Sequence, residues 1–239
     1  MATWVTHLMI ADEVLAQCPS LNRRGFCVGS IAPDCNMENE DWTAFTPPRE
    51  VTHWMNGSRK NAADCDRFLN EYLLPRIDGC LPEEYAFLLG YWAHLIEDAE
   101  FQRYIRDEKR VCASWNRILA DPVLGPQAET LPATFDSVKL LIPKQERMRD
   151  ISAIEAKYLS DHPSSGFLTE IVPLTDFPDY IDYLPAGSIV RKIGVMGKLP
   201  VTDNKPLRFL AISRGEYARY VQNASRLVIN GLKAHNLIP

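Results

Sequence analysis

Pro82-Glu83-Glu84 opens a long apolar run through Phe87, Leu88, Leu89, Tyr91, Trp92, Leu95 and Ile96, in which His94, Glu97 and Asp98 are embedded. A proline does not miss the amide that a first helical turn leaves unused, and two acids suit the positive end of a helix, so a helix starts here. Four residues make about one turn of roughly 5.4 Å, which puts His94 and Asp98 on one face where they can converge on a cation. Glu97 points near the same side. A carboxylate among apolar side chains needs a partner, because burying it alone costs several kcal/mol or forces it to take a proton. A metal is one such partner; a hydrogen-bonded core pair is the other reading of these residues.

At 239 residues, 46% hydrophobic and 24% charged, the chain can bury one sizeable core, and a single domain is expected. Its formal charge of -5 gives no bulk attraction to nucleic acid or an anionic bilayer. The basic residues between Arg103 and Arg110 are broken by Asp107 and Glu108 and read as a solvated helix face. The start of the sequence does not resemble a signal peptide, and no run reaches the length of about 18 apolar residues that a spanning helix needs. A cytoplasmic protein is the expectation. Six cysteines without a Cys-x-x-Cys spacing are then free thiols, Cys35 among them as a small buried side chain.

Trp4, His7, Leu8, Ala11, Val14 and Leu15 recur at helical steps, with His7 on the buried side, where it suits either a core hydrogen bond or a metal. Gly25 and Gly29, four apart, permit a close helix approach, and Pro33 ends regular structure just before Asp34, placing that carboxylate at a rigid corner. Residues 36–50 form a polar loop whose Trp42 and Phe45 either edge a site or fold back on themselves. The pattern predicts a helix over 58–74, a helix from 82 to about 118, and a helix over 135–159 broken at Pro143. It also predicts a short buried segment at 167–172 and an irregular stretch over 173–206. A strand over 188–193 is expected within that stretch, where Tyr180 and Tyr183 either cover a site or pack. Ser213-Arg214-Gly215-Glu216 is a capping box that opens a last helix.

Taken together, Thr6-His7, Gly29-Ser30-Ile31-Ala32-Pro33-Asp34, Thr52-His53-Trp54 and the run from Leu89 to Asp98 resemble the zinc-dependent phospholipase C family in their order over roughly the first 110 residues. That family is all-helical and hydrolyses phosphoesters. The resemblance implies a first zinc on Asp34, His53, His94 and Asp98, and a second that shares Asp98 and takes His7. It implies Asp34 as acceptor of the water's proton, with Glu97 as second candidate for proton handling or for orienting a ligand. Secreted members use a further zinc site with later histidines and a processed N-terminal tryptophan. Here Trp4 is internal, no histidine follows His94 until His162, and that site is absent or remade from Glu97 or Glu100.

The expectation is therefore an all-α, multi-helix bundle resembling zinc-dependent phospholipase C, with an irregular C-terminal insertion. Residues 1–118 form the metal-site core, 119–212 a helix and covering segment, and 213–239 the last helix. The expected function is hydrolysis of a small soluble or lipid-derived phosphoester by metal-activated water with one or two Zn2+ ions, without nucleic acid or membrane insertion. Rivals are an HD-type nucleotide phosphohydrolase, for which only the reversed pair Asp161-His162 is present, and a non-catalytic helical protein held by its metal.

Overall fold

In the computed structural model, which describes residues 2–55, 63–203 and 205–238, the Thr3 hydroxyl accepts from the Thr6 amide and caps α1 (Trp4–Gln17). Asn22 caps α2 (Arg23–Gly29) in the same way, through the Gly25 amide. A turn of 3₁₀ helix, Ala32–Asp34, carries Pro33 and ends at the expected corner. Two short antiparallel strands, β1 (Met37–Glu38) and β2 (Phe45–Thr46), pair Met37 with Thr46 and Glu38 with Phe45, and α3 (Arg49–Thr52) follows. The remaining elements are α4 (Cys65–Phe68), α5 (Pro82–Tyr104), α6 (Glu108–Leu119), α7 (Gly125–Ala128), α8 (Phe135–Leu141), α9 (Lys144–Asp161), α10 (Ser188–Met196) and α11 (Arg214–Ala234). The architecture is all-α, with one two-stranded ribbon. Among the described residues no helix is long and apolar enough to cross a membrane.

The bundle is built around α5, whose faces meet α2, α11 and α1. Three glycines set its distance from α2. A Cβ on Gly25 would stand 2.2 Å from the Glu83 carbonyl oxygen, one on Gly29 would stand 2.1 Å from that of Phe87, and one on Gly90 would stand 2.2 Å from that of Phe26. The two backbones therefore touch without side chains between them, the approach that Gly25 and Gly29 announce in the sequence. Gly90 supplies the matching notch on α5.

Several expectations need correction. The helix predicted to run to about 118 breaks after Tyr104, because Asp107 accepts from the Arg110 amide and caps a new helix, α6. Arg110 is not on a solvated face: it is buried, and its guanidinium donates to the carbonyls of Ile105 and Ala211. The helix predicted over 58–74 starts only at Cys65, capped by Asp64, and widens into a π-type turn over Leu69–Leu73; its predicted portion over 58–62 lies outside the described residues. The predicted strand over 188–193 is α10. There Ser188, Ile189, Lys192 and Ile193 are buried at helical steps, and a β-branched content that favours strands is overridden by that packing. The break at Pro143 and the capping box at Ser213 are present.

α10 also pins the strand pair. Lys192, 1% exposed, donates to the Asn36 carbonyl at 2.8 Å and pairs with Glu38 at 2.6 Å, while its ammonium lies 5.2 Å from the Trp42 ring centre and 5.4 Å from that of Phe45. Arg191 adds a second contact to Glu38 at 2.7 Å. These bonds hold the Glu38 carboxyl down to about 2. Because that value is depressed, the pair stabilises the fold above the ordinary glutamate range near 4.5 and loses its effect as pH falls toward about 2. Glu38→Ala leaves a buried ammonium short of its counter-charge and is expected to cost about 2–4 kcal/mol in urea unfolding at neutral pH. An unchanged midpoint would show that the pair contributes nothing.

Candidate metal centre

Five polar residues meet where α1, α3, α5 and the Ala32–Asp34 turn approach one another. The carbonyl of Ser30, just past the end of α2, receives a hydrogen bond from His94 Nδ1 at 2.8 Å, which leaves Nε2 as the free lone pair of that ring. His53 is oriented from the same side of its ring by the Thr52 hydroxyl, 2.9 Å from Nδ1. The two Nε2 atoms then face each other at 3.3 Å. His53 Nε2 is also 3.4 Å from Asp34 Oδ1 and 3.7 Å from Asp98 Oδ2. On the far side, His7 stacks on His94 with ring centres 3.9 Å apart, and His7 Nε2 lies 3.8 Å from Asp98 Oδ1.

The donor atoms fall into two groups, Asp34 with His53 and His94, and His7 with His94 and Asp98, each within 4.8 Å. Both groups can hold a metal ion. The donor set fits zinc, which accepts imidazole nitrogen and carboxylate oxygen. His7 Nε2 is fully buried without a hydrogen-bond partner, an unsatisfied atom that a cation would engage. All three histidines are at most 2% exposed, whereas Asp34 is 8% and Asp98 6% exposed, so the cluster opens on its carboxylate side.

Glu97 stands behind His7, fully buried, with Oε2 2.5 Å from His7 Nδ1. Burial together with the Asp98 charge pushes its carboxyl well above the usual range, and burial with the neighbouring His94 pushes His7 well below its own. Such placement orients the imidazole from behind, the geometry of a carboxylate–histidine pair that supports a metal ligand. Glu97→Gln, which keeps the shape and removes the charge, is expected to weaken zinc binding about 10–100-fold in a folded protein, measured by competition with a chelator. Unchanged affinity would place Glu97 outside the metal's support.

Arg49 is the residue that sequence reasoning missed. Its Nη2 donates to Asp98 Oδ2 at 2.7 Å and its Nη1 to Asp34 Oδ1 at 3.3 Å, bridging the two carboxylates. For Asp34, burial raises the carboxyl, but the hydrogen bond from His53 and the nearby His94, His53 and Arg49 outweigh it and hold it well below the carboxylate range. The signal was present: Arg49 precedes His53 by four residues, the same one-turn spacing as His94 and Asp98. The backbone nitrogen of Ala2 also reaches Asp98 Oδ1, at 3.3 Å.

Other candidates lie elsewhere. Glu100 is bound by Arg103 at 2.5 Å. His162 is exposed at the end of α9, stacked on Tyr158, so the reversed Asp161-His162 pair does not join the cluster. Tyr183 links the Trp54 indole at 3.0 Å to the Tyr91 hydroxyl at 2.9 Å, and Tyr180 bonds Glu83, so both pack. Trp54, directly after His53, takes a left-handed backbone (φ 52°) that turns the chain away from the cluster; its ring packs on Phe68 and Tyr72.

No curated protein and no solved structure matches the chain. A family model described as zinc dependent phospholipase C matches residues 6–100, a stretch that begins beside His7 and ends two residues after Asp98. Those residues hold every member of the cluster, and over them the chain is similar to the zinc-dependent phospholipase C family.

Proposed function

We propose that the protein is a zinc-dependent hydrolase of phosphoesters, acting on a small soluble or lipid-derived substrate. The observation that carries this reading is the convergence of His7, Asp34, His53, His94 and Asp98, with three imidazole Nε2 atoms and two carboxylates turned toward one another. One ion would be held by Asp34, His53 and His94 with Asp98, and a second by His7 with Asp98.

His94 falls in both geometric groups, yet one nitrogen lone pair serves one ion. The carboxylate is the group able to serve two, and Asp98 supports that role by facing His7 through Oδ1 and His53 through Oδ2. When bound, the ions supply a water made acidic enough to attack phosphorus and a positive charge for the phosphate oxygens. Asp34, on the more open side, would take the proton from that water, and Glu97 would hold His7 in register. Arg49, reaching both carboxylates, would meet the anionic substrate as a forked donor.

The test combines metal analysis with turnover. Purified protein stripped by chelator and titrated with zinc is expected to bind one or two equivalents and, in step, to gain hydrolysis of bis-p-nitrophenyl phosphate. Folded protein that takes up no zinc overturns the reading. Zinc bound without turnover of any phosphoester would leave a metal that only holds helices together.

A further inference from the structure

A cavity of about 620 Å³ begins at Asp34 and runs between the start of α1, the end of α5 and one face of α9. That volume lies within the range of about 300–1,000 Å³ typical of sites for one small ligand. Its middle is apolar, formed by Val5, Phe101, Ile105, Met148 and Ile151 among others. Trp4, also on this wall and 3% exposed, carries an indole N–H without a partner. A buried donor left unpaired is costly, so an acceptor from a ligand would be favoured there.

The far end is cationic. Of the basic residues on the wall, Arg110 is spent on backbone carbonyls, Arg106 on Gln102 at 2.6 Å, and Lys139 on Asp136 at 2.5 Å. Lys144, Arg147 and Lys198 differ: among the described residues none has a carboxylate partner, and Arg147 is held only through Nε to the Ile142 carbonyl at 3.1 Å. Burial pushes the Arg147 guanidinium down from its usual value, as expected for a cation without a counter-charge.

α9 fixes the spacing. Glu155, bound to the Thr6 hydroxyl next to His7, marks the cluster end of the helix, and Arg147 and Lys144 lie eight and eleven residues before it on the same face. At 1.5 Å per residue the cations stand about 12–16 Å along α9 from Glu155. A chain with a net charge of -5 thus carries two cations without a carboxylate partner, Lys144 and Arg147, on one stretch of the cavity wall and a metal-binding cluster beside another, with Lys198 also on that wall.

We propose that this cavity binds the body of the substrate, and that the substrate is an amphiphile with a phosphoester at one end, an apolar chain, and a second acidic group at the other, held by Lys144 and Arg147. The orientation rests on the phosphoester-hydrolase reading; the preference for a second acid does not require it. Lys144 is exposed and Arg147 half-buried, so the acidic group sits at a wet rim and its recognition is sensitive to salt.

The test compares two probes by calorimetry, decylphosphonate and the same chain ending in a carboxylate, on zinc-loaded wild type, on Lys144→Gln/Arg147→Gln with Lys144→Gln alone beside it, and on His94→Ala. The carboxylated probe is expected to bind wild type about tenfold more tightly, as two solvated ion pairs allow. The preference should shrink toward equality in the folded double variant and partway in Lys144→Gln, whose change is on the surface, and shrink with added salt. It should survive in folded His94→Ala. Equal affinities in wild type, no binding of either probe, or a preference unchanged in the double variant each overturn the proposal. A preference that persists in a protein binding no zinc would remove the hydrolase reading and leave this recognition standing.

Discussion

Replacing His94 with alanine is expected to abolish binding of the zinc proposed on Asp34, His53 and His94, weaken binding beside His7, and lower phosphoester turnover by roughly a thousandfold or more. The ring offers a lone pair to the one ion and stacks on the ligand of the other. Its Nε2 faces His53, its plane stacks on His7, and its Nδ1 is tied to Ser30. Truncation removes a ligand and at once loosens the two other imidazoles. Loss of the Ser30 bond and of a fully buried ring also costs about 2–4 kcal/mol, so folding must be followed by circular dichroism beside metal analysis. His7→Ala is the informative companion. It touches only the His7–Asp98 group and is expected to keep the zinc on Asp34, His53 and His94 that His94→Ala loses. A folded His94→Ala protein with its full complement of zinc would end the account of the centre given above.

Gly90→Ala is expected to lower stability by about 3–5 kcal/mol, or the melting temperature by roughly ten degrees. The added Cβ would lie 2.2 Å from the Phe26 carbonyl oxygen and 3.0 Å from the Ser30 nitrogen, both of them backbone atoms that cannot swing aside. α2 and α5 must separate, and with them Ser30 and His94, so zinc affinity should fall along with stability. Gly194→Ala in α10 is the control. Nothing lies within 4 Å of its Cβ, and exchanging a helical glycine for alanine should gain about 0.5–1 kcal/mol. Equal effects at the two positions would show that the crossing has slack.

How far the sequence carried the structure depended on whether the determining contact was local. His94 and Asp98 share a turn, the Ser213 capping box spans four residues, and Gly25 with Gly29 needs only one helix to reveal a notch; all three were legible. The convergence of His7, Asp34 and His53 on that pair came from motif order, since no spacing states that α1 and α3 meet α5. α10 was misread because Ile189, Val190 and Ile193 favour a strand by composition, while the burial of Lys192 against Glu38, far away in the chain, decides otherwise. The cavity was not legible either, because its walls come from α1, α5 and α9, which only the fold brings together.

Arg49 has a consequence for the order in which such a protein comes into being. Proteins whose metal ligands repel one another, or whose core is too small, stay unfolded until the ion arrives. Here a guanidinium already bridges Asp34 and Asp98, and the surrounding helices bury an extensive hydrophobic core. If the centre holds zinc as proposed, chelation is expected to stop turnover and lower the melting temperature in step with the binding free energy of the ions, while leaving the chain folded at ordinary temperature. A cell short of zinc would then hold a standing stock of folded chains awaiting their ions.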